Sequence, residues 1–311
     1  RIVRGHYSTG LLRLWADQIL AAYLPALDGV DAVHYPKGWL PVLRFSKVRR
    51  IATMHDTIVH YLAKNYPASR SFLKHRYFVN ASLFALQHAD LILTDSRTSA
   101  KALKALPRGQ DASIIAVADL GPGIDIPDPP PRATAKEQLL VIGSRIPYKA
   151  TAEAIRLLDT YARTAGRRLK AAVTTLDQWP GEWGAPPCSL DTRFTGRLDD
   201  SSLATELARS SVLVYLSEIE GFGMPALEAY ACHTPVCYRK GTAVAELLDG
   251  VPGSWDGQGY ESFVHALEAA SNIPPPDIAA TRDRLLAKYN WTNCARQTIE
   301  AYRRVLGLDN A

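Results

Sequence analysis

The chain is 311 residues long, 47% of them hydrophobic and 22% charged, with a formal net charge of +5. That length favours two domains, and apolar residues spread along the whole chain exclude a disordered, collagen-like or disulfide-built protein. The four cysteines, Cys188, Cys232, Cys237 and Cys294, have neither paired spacing nor a companion histidine cluster, which argues against zinc and for reduced thiols.

In chain order, HYSTGLLRLWADQIL brings Gly10 and a helical pattern over 10–24, with Ser8 or Thr9 able to cap it. DAVHY (31–35) and IATM (51–54) read as strands. Between them, KGWLPVLRFSKVRR (37–50) mixes Trp39, Leu40, Leu43 and Phe45 with cations, and reads either as a membrane-interface segment or as a loop leading into the next strand. His55 and Asp56 follow IATM directly, where a lone histidine is often structural. A helical pattern over 69–88 is expected to send Phe72, Leu73, Val79 and Leu83 into the core. DLILT (90–94) is a strand, TDSRTSAKAL (94–103) continues through a cap at Asp95 or Ser96 into a helix, and ASIIAV (112–117) is another strand.

Charge is unevenly placed over these elements. Residues 1–130 hold 16 Lys and Arg against 10 Asp and no Glu, so the first half carries the whole basic excess. Nine of those cations fall in 37–76, where Asp56 is the one acid. Such a patch attracts anionic surfaces, whether lipid head groups, phosphates or acidic polymers. No run approaches the ~18 apolar residues that span a bilayer, and the first residues lack a signal-peptide core, so the protein is expected to be soluble or peripheral.

GPGIDIPDPPPRA (121–133) forbids regular structure and marks a hinge. Beyond it short apolar runs alternate with amphipathic stretches: LLVI (139–142), a helix near 150–165, LKAAV (169–173), a helix near 200–210, VLVYL (212–216) and PALEAYA. This βαβ rhythm implies a parallel sheet covered by helices, and the first half repeats it more loosely. After Pro274, Pro275 and Pro276 comes a last helix, WTNCARQTIEAYRRVL, with Trp291, Ala295, Ile299 and Tyr302 spaced for one face.

Chemistry concentrates in SEIEGFGMPALEAYA (217–231), a loop leaving a buried strand and opening a helix. Gly221 and Gly223 let the backbone approach a ligand, and free amides at a helix start hold phosphate. Glu220 and Glu228 would repel phosphate, yet carboxylates accept from sugar hydroxyls. A ligand with phosphate in the middle and hydroxylated rings at both ends satisfies both, and a nucleotide sugar has that layout. Glu218 reads as a solvated or hinge-facing acid. Upstream, VIGSRIPYKA (141–150) ends a strand at Gly143 and supplies Arg145 and Lys149 to face a diphosphate. FTGRLDD (194–200) adds Gly196 and Arg197, and its Asp199 and Asp200 read as caps in preference to metal ligands.

EGFGMPALEA resembles the Glu-x7-Glu signature of retaining GT-B glycosyltransferases, the family 4-like "glycosyl transferases group 1". The resemblance implies two Rossmann-like domains facing across a cleft: 1–125 on the acceptor side and 135–290 binding the donor, with 291–311 returning to the first domain. It implies transfer of a sugar from UDP or GDP to a glycan, lipid-linked or small-molecule acceptor with retained configuration, the leaving phosphate helping to deprotonate the acceptor. Glu220 and the amides of Phe222 and Gly223 would then hold the sugar, with Gly221 and Met224 in the same loop, and Glu228 the ribose. Lys149 would face the phosphates, while Gly143, Gly10, Gly196 and Arg197 would line the donor site. His55 would reach from the acceptor side. Ser144 and Tyr148 stand where the family carries an arginine, Arg145 is one residue off the pattern, and Leu12 replaces a glycine. No metal, cofactor or nucleic acid is expected. The cytoplasm, or the inner face of its membrane through 37–76, is the expected location. A silent subunit binding nucleotide sugar or lipid, and a GT-B epimerase, are the alternatives.

Overall fold

The computed structural model describes residues 18, 19, 23, 29–44, 47–69, 72–107, 109, 115–126, 138–166 and 168–308. Gly10, Phe45 and the hinge residues 127–133 lie outside the described residues.

Among the described residues two parallel sheets organise the fold. The first has four strands in the order β1 (Ala32–Tyr35), β2 (Arg49–Thr53), β3 (Leu91–Thr94) and β4 (Ile115–Val117). Helices α1 (Ile58–Asn65), α2 (Phe72–His88) and α3 (Arg97–Ala105) connect them. Parallel strands need such crossovers, and the switch from period two to helical spacing in the sequence follows from that need.

The second sheet runs β10-β9-β8-β5-β6-β7. Its strands are β5 (Gln138–Ile142), β6 (Leu169–Thr174), β7 (Leu190–Gly196), β8 (Ser210–Tyr215), β9 (Val236–Arg239) and β10 (Ser254–Trp255). Around them pack α4 (Thr151–Thr164), α5 (Asp200–Arg209), α6 (Met224–Ala231), α7 (Ala243–Leu247), α8 (Tyr260–Ser271) and α9 (Pro275–Lys288). Successive side chains of β8 feed opposite faces: Val212 and Val214 join one core, Leu213 and Tyr215 the other. Burial on both faces explains the unbroken apolar run VLVY, each such side chain contributing roughly 2 kcal/mol over exposure.

The last helix, α10 (Trp291–Leu306), crosses back to the first sheet. Its Ala301 packs with Ile51, Leu91 and Leu93, and the Tyr302 hydroxyl lies 2.6 Å from His34 Nδ1. Of the expected face Tyr302 packs, but Trp291, Ala295 and Ile299 are exposed, and Ala301 and Val305 complete the buried face. The helix enters by laying Trp291 over the crossover segment, its indole donating to Pro122 O at 2.9 Å, and this entry sets the rotation of the rest.

A second expectation also fails. Phe72 and Leu73 are 72% and 76% exposed, whereas Leu83 packs against the core as expected and α2 turns His75, Ala85 and Leu86 inward. The helix is apolar on several faces, so periodicity did not fix its orientation. Leu40, expected at a lipid interface or in a loop, is a core residue at 2% exposure. Among the described residues no helix is long and apolar enough to cross a membrane.

Candidate active site

In an open parallel sheet, ligands bind beyond the carboxyl ends of the strands where the strand order reverses. Here the order reverses between β5 and β8, paired in parallel with Val141 beside Val214. The two segments singled out in the sequence therefore leave the sheet side by side, the 143–149 turn after β5 and the 217–223 loop after β8.

They meet at one carboxylate. Glu220 Oε1 accepts from Lys149 Nζ at 2.6 Å and from the Tyr215 hydroxyl at 2.6 Å. Glu220 is 9% exposed, and the Lys149 side chain retains about a quarter of its surface. Tyr215 is buried, and burial first, then the neighbouring Glu220, pushes its phenol well above the ordinary tyrosine range. The phenol is therefore a fixed donor that holds the carboxylate in place.

Gly221 carries the loop onto the first half of the chain. A Cβ there would sit 2.7 Å from the His55 carbonyl oxygen, so a side chain would collide with the backbone it docks against. The Gly221 carbonyl accepts from Ser96 Oγ at 2.6 Å and Ser99 Oγ at 2.9 Å. Gly223 has φ +101°, in the left-handed region that favours glycine, and a Cβ there would press on Val244. Phe222 turns its ring into the core against Tyr289.

His55 stands at the end of β2, and its Nδ1 lies 2.9 Å from the Asp95 carboxylate at the end of β3. The hydrogen bond to Asp95 is the main cause that raises the His55 pKa above its ordinary value, against the opposing effect of burial. Asp95, expected only as a helix cap, is instead the partner that orients this imidazole; Ser96 is the cap, accepting from Ser99 N. Asp56 accepts from Ile58 N at 2.7 Å, and burial raises its pKa, with the charges of Asp95 and Glu220 adding to the effect.

Glu228 occupies a second position. It is 5% exposed, and its Oε1 accepts from Gly123 N at 2.9 Å on the crossover segment. Burial is the first cause that raises its pKa, opposed by that amide. Met224 lies beside it, its sulfur 3.1 Å from where a Gly123 Cβ would stand.

A third group lines a cavity of about 410 Å³ formed by Gly143, Ser144, Arg145, Thr175, Asp177 and Gln178. Gly143 has no room for a side chain, since a Cβ would lie 2.5 Å from Thr174 O, and Gly196 backs onto Asp177. Arg145 makes a surface pair with Glu182 at 3.4 Å, both more than half exposed, whereas Lys149 is only about a quarter exposed. Arg197 is exposed, and Asp199 caps α5 by accepting from Ser202 N at 2.8 Å.

Several functional contacts escaped the sequence reading. Glu218, taken as solvated or hinge-facing, accepts from the hydroxyls of Tyr61 and Tyr66 at 2.8 Å across the two halves. Burial and that carboxylate push the Tyr61 phenol to about 12. Glu246 of α7 accepts from Arg97 N, Thr98 N and Thr98 Oγ1 at the start of α3. For His55 and Asp95 a signal existed: Thr53 pairs with Leu93, so residues two beyond each fall side by side.

Two Rossmann-like halves, a switch-point cleft and a helix returning to the first half define the GT-B class. Similar folds include sucrose-phosphate synthase from Thermosynechococcus elongatus, with TM-score 0.69 and 17% identity over 97% of this chain and 81% of that one. A glycosyltransferase from Rickettsia africae gives TM-score 0.64 and 12% identity over 100% and 85%. Residues 188–276 match the model of the family "Glycosyl transferases group 1". Over that stretch the chain is similar to the group 1 glycosyltransferases. Among curated relatives, the O-antigen chain mannosyltransferase B of Escherichia coli is 33% identical over 113 residues, 36% of this chain and 30% of that protein. D-inositol 3-phosphate glycosyltransferase 2 of Catenulispora acidiphila is 27% identical over 216 residues, 60% and 50% of the two. The chain thus spans half or less of the length of these two relatives.

Proposed function

We propose that the chain transfers a glycosyl group from a UDP- or GDP-sugar to an acceptor hydroxyl with retention of configuration and without a metal. The observation that carries this reading is the Lys149–Glu220–Tyr215 contact at the strand switch. A cation that a diphosphate can share sits beside a carboxylate that sugar hydroxyls can donate to, and each satisfies the other until the donor arrives.

In the reaction the bond between the anomeric carbon and the phosphate oxygen breaks, and the acceptor oxygen bonds to the same face. The acceptor proton passes to the leaving phosphate oxygen. Lys149 and the loop amides offset the charge that develops on that phosphate. His55, held by Asp95, donates to a sugar hydroxyl from the acceptor side. Glu228 holds the crossover segment through Oε1 in this structure, and its remaining acceptor positions would take a ribose hydroxyl. Gly143, Gly196 and Arg197 border the base and phosphates, and Arg145 joins them on leaving Glu182.

One observation favours a second reading, a subunit that binds donor without turnover: Tyr148 is buried where an arginine is expected, and Arg145 is engaged at the surface. The test is nucleotide release from UDP- and GDP-sugars, with glycan, lipid-linked and small acceptors, for the wild type and Glu220→Gln. Acceptor-dependent release that Glu220→Gln abolishes supports transfer. Donor binding with no release under any acceptor supports the silent subunit.

A further inference from the structure

The first half carries an apolar surface that the transfer reading does not use. Val42, Leu43, Phe72, Leu73, Tyr77 and Phe78 are all exposed large hydrophobics, drawn from two segments, the loop after β1 and the helix α2. Part of this surface is a groove of about 780 Å³ where Leu73, Tyr77, Asn80 and Phe84 of α2, at helical spacing, face Leu40 and Val42. Of the six, Val42, Leu73 and Tyr77 share this groove, which Gln18 and Ile19 also line, and exposed apolar surface of this kind marks an interaction site.

The charge around it selects the occupant. Arg44, Lys47, Lys74 and Arg76 are exposed in the same two segments. Asp56, the one acid in 37–76, is turned to the main chain of α1. A second copy of this chain would bring the same cations against themselves. Anionic lipid headgroups neutralise them while the acyl boundary takes up the apolar side chains.

We infer that this face seats the protein on an anionic bilayer, with Val42, Leu43, Phe72 and Leu73 entering the headgroup–acyl boundary and the four cations meeting lipid phosphates. The same loop runs beside the candidate site, for Gly38 lies against Thr53 and Met54, the residues just before His55. A seated protein therefore has the acceptor side of its cleft tethered near the lipid. The inference goes beyond the transfer reading and stands or falls without it.

Vesicle flotation tests it with the full chain. Vesicles of phosphatidylcholine with one lipid in three replaced by phosphatidylglycerol are compared with pure phosphatidylcholine, at low and at high salt. The wild type is expected on the anionic vesicles only, and less at high salt, because screening shortens the reach of the cations. Phe72→Ser with Leu73→Ser should weaken binding about tenfold or more, the scale of withholding two large side chains from burial. Lys74→Glu with Arg76→Glu should do the same by charge and keeps the test open if the serine pair misfolds; unchanged circular dichroism certifies each variant. Equal partition onto both vesicles, or wild-type binding by both variants, overturns the inference. So does a dimer in light scattering that the serine pair dissolves, with no vesicle binding.

Discussion

His55 and Asp95 stand 2.9 Å apart although 40 residues separate them, because their strands run parallel and end in register. The contact orients an imidazole whose side chain is about half exposed at the seam of the two halves. Since the Asp95 hydrogen bond is the first cause of the raised His55 pKa, Asp95→Asn should lower it. A histidine proton titration by NMR should place wild-type His55 above the ordinary 6.5 and the variant nearer to it. A raised folded-state value adds stability that is complete below the unfolded pKa and lost as pH rises through the folded one. The melting temperature of the wild type should therefore fall over that window more than the variant's does.

Tyr215 anchors Glu220 from beneath. Tyr215→Phe keeps the ring and removes the donor, which should cost roughly 1 kcal/mol of stability and about tenfold in turnover, with less effect on donor KM. Equal losses for another buried Tyr→Phe variant, such as Tyr230→Phe, would mean that Tyr215 acts through packing alone.

Gly221 meets His55 backbone where no side chain fits. Gly221→Ala should hold the two halves apart and reduce turnover by about a hundredfold, on the scale of a 1 Å misplacement of reacting groups. The variant should stay folded by circular dichroism, since each sheet keeps its own core. Wild-type turnover in this variant would show that the closed seam is not needed.

Glu218 and Glu246 hold that seam through Tyr61, Tyr66 and the first turn of α3. Removing both as alanines should open the cleft, seen as a larger radius of gyration in small-angle scattering. Glu246→Ala alone should cost about 1 kcal/mol, as loss of a helix cap does.

Much of this site was legible because its parts are local. The run VLVYLSEIEGFGMPALEA reads as strand, loop and helix, and its two glutamates fall where that geometry puts them. Lys149 was legible for the same reason. What escaped depends on residues far apart in sequence: Glu218 finds Tyr61 157 residues away, and Gly123 reaches Glu228 across 105. The outward turn of Phe72 and Leu73 escaped because α2 has apolar residues on every side, leaving the tertiary partners to choose its buried face.

The central claim is that the β5–β8 switch holds a nucleoside diphosphate against Lys149, and thermal shift with UDP and GDP tests it most directly. A ligand bound only by the folded chain raises its melting temperature, by about 2.7 kcal/mol of stability at a hundredfold excess over Kd. The account predicts a rise with one of the two nucleotides that Lys149→Ala removes. No rise with either, or the same rise in Lys149→Ala, would contradict it.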